Sequence, residues 1–418
     1  MKSENRQIVK TPVLLSPLRH DAFRLLWGGM AASYAGDRLQ ELAQAWLMAI
    51  LTQSSALSVG LISILASLPQ LFMPVGGAVA DQVDRRRLLI AAQLAGAAAA
   101  AVVGALVLGH RIAPWHIYAW ALVSGMVWLA SRPAYKVVLT ESVPPDEVRS
   151  AVALNSMTET TAMLVVSAGG SMLLALIGLP IAFLFNSSSY LIAAASLWRL
   201  PGLSQRSATQ WKRLSVLRFS LDLRDGITYL ARQPTLLYPL LLTFVTVVVT
   251  TPSFGLLAAL VHKRGGSIIS LGLLGASVSL GAFIGAVYAG SRSEDGHPIR
   301  HYALYGIGAA AALVVFAITP VSFVTPLPLA VIGFILFSEA VWNTSRVRLL
   351  AAASFQARLQ SITTMAFTLG SAVGQLWGGI ALDRFGVMSL IGGAIVLVVL
   401  AITVWSLAHR LARQKAEG

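Results

Sequence analysis

The stretch SIISLGLLGASVSLGAFIGAVYAG, residues 267–290, contains no charged side chain from end to end. A helix that crosses a membrane needs about 20 mostly apolar residues. Inside lipid only helices and closed barrels satisfy every backbone N–H and C=O group, and this stretch lacks the alternating polarity of a barrel strand. It is therefore predicted to be a transmembrane helix.

Eleven other stretches have the same character, so the chain is predicted to cross a membrane twelve times. The spans are 22–51, 56–80, 88–109, 115–136, 149–177, 179–199, 236–261, 267–290, 301–319, 326–346, 357–382 and 387–408. The composition agrees, because 56% of the 418 residues are hydrophobic and 11% are charged, against about 25% charged in soluble proteins. The predicted fold class is an all-α membrane protein.

The basic residues fix the predicted orientation. With both termini in the cytoplasm, all but five of the 31 lysine and arginine residues fall on the cytoplasmic side. The exceptions are Arg38 within a span, and Arg111, Lys263, Arg264 and Arg384 in outer loops. Positive charge is concentrated in cytoplasmic loops of membrane proteins. The net charge of +14 is thus a topology signal, and no nucleic-acid partner is expected.

One long connection, 200–235, divides the spans six and six. Residues 1–199 are predicted to form an N-terminal six-helix bundle and residues 236–418 a C-terminal one, joined by this cytoplasmic linker. The linker sequence SLDLRDGITYLARQP (220–234) has the spacing of a helix on the membrane surface, and a plain linker is the alternative. The stretches VRSAVALNSM (148–157) and FQARLQSITT (355–364) also match, which indicates a duplicated unit.

The loop after the second span carries a recognisable signature. The sequence GGAVADQVDRRRLL (76–89) resembles the major facilitator superfamily loop G-x-x-x-D-R-x-G-R-[RK]. Gly77, Asp81, Arg85 and Arg86 match the pattern, whereas Gln82 replaces its arginine. The resemblance implies twelve helices in two six-helix bundles. It also implies that Gly77, Asp81, Arg85 and Arg86 belong to a cytoplasmic gate between the halves.

A narrower resemblance lies mainly in the N-terminal half. FRLLWGGMAASYAGDRLQELAQAWLMAILT (23–52), ADQVDRRR (80–87) and RPAYKVVLTESVPPDEVRSAVALNSM (132–157) are similar to the bacterial enterobactin-exporter branch. That branch includes macrolide and other multidrug efflux proteins, so the resemblance implies export of a siderophore or a drug-like molecule. The fourth span, IYAWALVSGMVWLAS (117–131), lacks the arginine of many drug/proton antiporters, which weakens the inference of proton antiport.

Charged residues embedded in spans are the candidate site. One such residue at mid-bilayer costs about 2.5–3.5 kcal/mol even on insertion scales, so it faces a cavity or a partner. In SYAGDRLQE (33–41), helical spacing aligns Asp37 and Glu41 on one stripe. The predicted substrate and proton cavity comprises Asp37, Arg38, Glu41, Glu159, Glu339, Asn343 and Arg346.

The same acids have a structural interpretation. Glu159 and Glu339 would then pair with Arg38, Arg132 or Arg346 and hold helices together. For Asp37 and Glu41 the cavity is favoured, because Arg38 cannot satisfy both carboxylates.

The sequence lacks the residues that other classes of function require. The chain has no cysteine, no phosphate-binding Gly-rich loop, no spacing of metal-ligating histidines and no recognisable nucleophile–base pair. No metal, cofactor or enzymatic activity is expected. The sequence favours a monomeric secondary transporter of the bacterial inner membrane that exports a small organic molecule by alternating access, with protons and membrane lipid as its other partners. The alternatives are an uptake carrier for a siderophore or related molecule, and a non-transporting membrane sensor.

Overall fold

The computed structural model describes residues 14–72, 84–200, 216–292, 298–320 and 324–417. Within these ranges the chain is helical and contains no strand, so the all-α prediction is confirmed. The helices are α1 Asp21–Leu51, α2 Ala56–Ser67, α3 Arg85–Leu108, α4 Pro114–Glu141, α5 Val148–Val165, α6 Ser171–Ile177, α7 Leu179–Arg199, α8 Val216–Ala231, α9 Pro234–Gly255, α10 Leu257–Lys263, α11 Ile268–Ser291, α12 Pro298–Ile318, α13 Pro326–Leu350, α14 Ala353–Phe385 and α15 Met388–Glu417.

Each of the twelve predicted spans contains one or more of these helices, and α8 lies in the predicted linker. Of the described helices, α3, α7, α9 and α11 to α15 are long and apolar enough to cross a membrane. The helices α1 and α4 are also long enough to cross a membrane. They are more polar and are not among these eight helices. The fifth span consists of α5, a π-helical turn at Val166–Gly170, and α6. The second span begins with α2 and a 3₁₀ turn at Leu68–Phe72, and its predicted end at 73–80 lies outside the described residues.

Each half packs around its own helices. In the N-terminal half α7 packs against α1 and α3, and α4 packs against α2 and α3. In the C-terminal half α11 packs against α13, α12 against α15, and α9 against α14. The helix α8, within the predicted linker, lies against the first turns of α14, where the Tyr229 and Phe355 rings stack 4.4 Å apart.

The two halves meet mainly along α2 with α14 and along α6 and the preceding π-helical turn with α11, and α1 also contacts α10. In the predicted orientation, the end of the molecule that holds residues 52–55, 264–267 and 386–387 faces outward; it is called the outer end below. The contacts of Leu57 with Gly379, of Gly60 with Gln375 and of Ser171 with Gly272 all belong to the outer half of these helices. The structure is therefore closed at its outer end.

Glycines allow the closest of the helix pairs. A Cβ atom on Gly281 of α11 would overlap the Ala330 carbonyl of α13, and one on Gly285 would overlap the Phe334 carbonyl. Transmembrane helices associate through van der Waals contact between small residues rather than through the hydrophobic effect. These glycines therefore set the distance between α11 and α13.

Replacing Gly281 by valine tests this packing. We expect Gly281→Val to lower the free energy of unfolding by about 1–3 kcal/mol, because the added atoms force the helices apart. Thermal unfolding of purified protein in detergent measures the loss. Gly275→Val on the same helix is the matched control, since a Cβ there meets nothing within 4 Å. Equal melting temperatures for the two variants would contradict the assignment.

Candidate functional site

Asp37 lies at the contact between α1 and α7. Its Oδ1 accepts hydrogen bonds from the Tyr190 hydroxyl at 2.6 Å and from the Asn186 amide at 3.2 Å. The same Asn186 amide donates to Gln40 Oε1 at 2.7 Å. Gly36 makes this possible, because any side chain there would collide with Asn186 and hold α7 away. Asp37 is thus oriented by neutral donors from another helix and not by a cation.

A cavity of about 340 Å³ opens beside Asp37, within the N-terminal half. Its lining is Asp37, Arg38, Gln40, Glu41, Gln44, Ile62, Ser63, Ala66, Gln70, Trp120, Ser124, Gly125, Trp128, Asn186 and Tyr190. Ligand pockets typically combine an apolar or aromatic wall with a few placed polar groups. Here carboxylate, amide and hydroxyl groups face two indole rings, which suits a polar organic ligand.

Two glutamines of the cavity have unused hydrogen-bonding capacity. Gln40 and Gln44 are 1% and 8% exposed. The Nε2 atom of Gln40 and the Oε1 atom of Gln44 are buried and have no partner among the described residues. Buried polar atoms in proteins are nearly always paired. Both atoms are enclosed within the cavity wall, so a ligand would reach them only if the glutamine side chains turned toward the cavity.

Arg38 and Glu41 form an ion pair at the cavity mouth. Arg38 Nη1 lies 2.7 Å from Glu41 Oε2, with the side chains 31% and 53% exposed. An ion pair in contact with solvent contributes about 0–1 kcal/mol to stability. Arg38 is paired with Glu41, so it attracts the adjacent Asp37 without forming an ion pair with it among the described residues.

Glu159 lies apart from that cavity lining. It forms an ion pair with Arg132, which joins α5 to α4. The Arg132 guanidinium also lies 3.8 Å from the centre of the Trp128 ring, a cation–π contact. The geometry of Glu159 is therefore that of the structural interpretation, a pair that holds two helices together.

Glu339, Asn343 and Arg346 lie on one face of α13 in the C-terminal half. Glu339 is 0% exposed, and neither of its carboxyl oxygens has a hydrogen-bond partner among the described residues. The nearby Thr243 hydroxyl accepts a 2.9 Å bond from Asn343, which in turn accepts one from the Tyr302 hydroxyl at 3.1 Å. Arg346 donates to the Thr235 carbonyl at 3.1 Å.

The structure therefore separates the seven predicted cavity residues into three places. Asp37, Arg38 and Glu41 share the N-terminal cavity, Glu159 is paired between α4 and α5, and the α13 residues lie in the other half. They do not form one polar floor.

Two of the four predicted gate residues are described. Gly77 and Asp81 lie outside the described residues. Arg85 Nη1 lies 3.5 Å from Glu141 of α4. The Arg86 guanidinium donates to the Leu197 carbonyl at 2.9 Å and to the Trp198 carbonyl. These contacts of both arginines are with the N-terminal half, where Arg86 binds the last carbonyls of α7.

Asn186 and Tyr190 are site residues that the sequence analysis did not identify. They lie four residues apart in the sixth span, within the polar run NSSSY (186–190). A helix turn separates residues four apart, so both face one side. Two polar side chains on one face of a predicted transmembrane helix were the sequence signal that could have indicated these site residues.

A family model described as "Transmembrane secretion effector" matches residues 13–417. A transporter from Bacillus subtilis (strain 168), the uncharacterized MFS-type transporter YfiS, is 23% identical over 394 residues. That alignment covers 90% of this chain and 91% of the relative.

Solved transporter structures have the same fold. A bacterial homologue of the human lysosomal transporter Spinster, inward-facing and unoccupied, matches with a TM-score of 0.69 at 15% identity. The match covers 93% of this chain and 97% of that one. A bacterial homologue of the iron transporter ferroportin, inward-facing, matches at 0.67 and 14%, covering 92% and 98%.

The role of Glu159 can be tested through stability. We expect Arg132→Gln and Glu159→Gln each to lower the free energy of unfolding by about 1–3 kcal/mol, since each leaves a half-buried charge unpaired. The double variant should lose less than the sum, and a double-mutant cycle of unfolding free energies in detergent measures that coupling. The exposed pair Arg38–Glu41 is the control, with an expected coupling within about 1 kcal/mol. Additive losses at Arg132 and Glu159 would argue against the pair.

Proposed function

The chain belongs to the transmembrane secretion effector family of the major facilitator superfamily, and we propose that this multi-pass membrane transporter exports a small organic cation by alternating access. The coupling ion is the proton, and the membrane is the bacterial inner membrane. The protein acts as a monomer with both termini in the cytoplasm. The name of the family, transmembrane secretion effector, supports the outward direction.

The main support for this proposal is the position of Asp37 at the cavity. A carboxylate in the first transmembrane helix is costly in lipid, and the neutral donors Tyr190 and Asn186 compensate that cost only in part. Arg38 and Arg132 are each neutralised by a glutamate. An anionic substrate such as an acidic siderophore would lack a free cation among these groups, whereas a cation would find Asp37.

The other residues that line the cavity indicate which chemical groups the substrate carries. Gln40 and Gln44 contribute amide groups to the lining and Trp120 contributes an aromatic ring, whereas the Trp128 ring is already in contact with the Arg132 guanidinium. Aromatic rings attract cations when these are desolvated. The favoured substrate is therefore an organic cation that also carries hydroxyl or amide groups.

Glu339 is the proposed proton site. An isolated charge inside a protein is very unfavourable unless it is paired, and a carboxyl group in such surroundings binds a proton instead. Glu339 is wholly enclosed, and within the described part of the chain its carboxyl oxygens form no hydrogen bond, although the Thr243 hydroxyl lies nearby. In this proposal it holds a proton in the present conformation and releases it when solvent reaches α13 in another. Asn343 and Arg346 position that part of α13.

The predicted cytoplasmic gate would form in the conformation that is open at the outer end. Asp81, Arg85 and Arg86, with Gly77 allowing close approach, would join the two halves at the cytoplasmic end when the outer end opens. The present structure is closed at the outer end, so the contacts of Arg85 and Arg86 within the N-terminal half are compatible with a gate that is open.

Transport in proteoliposomes with an imposed pH gradient tests the proposal. Organic cations and siderophores would be screened, and we expect gradient-driven flux of a cation. Asp37→Asn and Glu339→Gln should each reduce that flux roughly tenfold or more, because the first removes the substrate carboxylate and the second the proton carrier. Thermal unfolding of each variant in detergent confirms that it is folded.

Asp21→Asn is the matched control, since it makes the same change on the same helix at a solvent-exposed position. Unchanged flux in both Asp37→Asn and Glu339→Gln would refute the assigned roles. Substrate flux in the same direction as proton flux would indicate an uptake carrier. Transport of an acidic siderophore in preference to cations would refute the substrate class.

A further inference from the structure

Asp383, the third residue from the end of α14, contacts the beginning of α2 in the other half. Its Oδ1 accepts a hydrogen bond from the Ala56 backbone N–H at 2.7 Å. Its Oδ2 accepts from the Ser55 hydroxyl at 2.8 Å and from the Leu57 backbone N–H at 3.2 Å. One carboxylate thus binds three donors that lie more than 300 residues away along the chain.

These donors belong to a helix N-terminus that its own residues cap only in part. The first four N–H groups of a helix have no partner within the helix. The Ser55 hydroxyl accepts from the Ser58 N–H at 3.2 Å, which leaves the N–H groups of Ala56 and Leu57 to Asp383. A carboxylate at this position also interacts favourably with the helix dipole. The complete cap of α2 is therefore built from both halves, by Ser55 and Asp383, and is called the two-part cap below.

The two-part cap lies where the halves are in close contact. A Cβ atom on Gly379, one helical turn before Asp383, would come within 2.7 Å of the Leu57 Cα. On the same outer end the Ser54 hydroxyl lies 2.7 Å from Nδ1 of His262, which again joins the two halves. Any motion that separates α2 from α14 at this end must break the hydrogen bonds of Asp383.

We propose that Asp383 is a positioning residue for alternating access, which holds the outer end closed by completing the cap of α2. When the outer end opens, Ala56 and Leu57 lose their carboxylate partner and water replaces it. Asp383 is itself solvent-exposed, so the contact is moderate in strength. A helix cap typically changes an equilibrium constant by about twofold to thirtyfold, enough to bias a conformational equilibrium without locking it.

The absence of cysteine from the chain allows a single reporter thiol. Ser171 is 2% exposed and lies against Gly272 in another contact between the halves, that of α6 with α11. In nanodiscs, where both membrane faces are accessible, the rate at which a water-soluble maleimide labels Ser171→Cys reports opening of the outer end. Adding Asp383→Ala should raise this rate by about three- to thirtyfold. Asp383→Asn should raise it less, because one amide oxygen can still accept a hydrogen bond.

Arg384→Ala in the same Ser171→Cys background is the matched control. Arg384 is the next residue, is also exposed, and its removal should leave the rate unchanged. Ser55→Ala, which removes one donor of the two-part cap, should raise the rate. Melting temperatures establish that the variants are folded, and if Asp383→Ala does not fold, Asp383→Asn and Ser55→Ala decide.

Equal labelling rates for the Asp383 variants, Ser55→Ala and Arg384→Ala would overturn the proposal. An equal increase in all of them would do so as well, because it would reflect general loosening of the outer end. The measurement involves neither substrate nor pH gradient, so its result stands apart from the proposed export of organic cations.

Discussion

The cost of polar groups in hydrocarbon is the constraint on which this structure depends. Backbone N–H and C=O groups have no water partner in lipid, so the described parts of the spans are helical. The same cost applies to every embedded side chain that carries charge. Glu159 is paired with Arg132 and Glu41 with Arg38. Asp37 is held by Tyr190 and Asn186, whereas no hydrogen bond to Glu339 is found in the part of the chain that the structure describes.

The two halves use this constraint differently. The N-terminal half places Asp37 and Glu41 at a cavity lined by amides and indoles, which is the proposed ligand site. The C-terminal half encloses Glu339 among α9, α12 and α13 beside a chain of neutral hydrogen bonds from Tyr302 through Asn343 to Thr243. In the proposed function, the cation and the proton are bound in separate halves. Motion between the halves would then couple the two, as alternating access requires.

Motion of that kind needs contacts that are close but individually moderate. Glycines bring helices together without adding polar groups that would have to be desolvated, as Gly379 does between α14 and α2. At the outer end, directional hydrogen bonds join Asp383 to the start of α2 and Ser54 to His262. Water can reach both of these contacts. Because water can replace each of these bonds, opening costs far less than it would in the lipid interior.

The sequence by itself determined the helices, because the length and polarity of each span are local properties. It also identified the costly residues, since a charge within an apolar run is visible in one dimension. Sequence could not tell which of Asp37, Glu159 and Glu339 is paired, because pairing depends on side chains from other helices. The donors to Asp37 come from α7, and the partner of Glu159 comes from α4. Only the tertiary structure decided that Asp383 completes the cap of a helix in the other half, since a hydrogen bond is fixed by distance in space and not by separation along the chain.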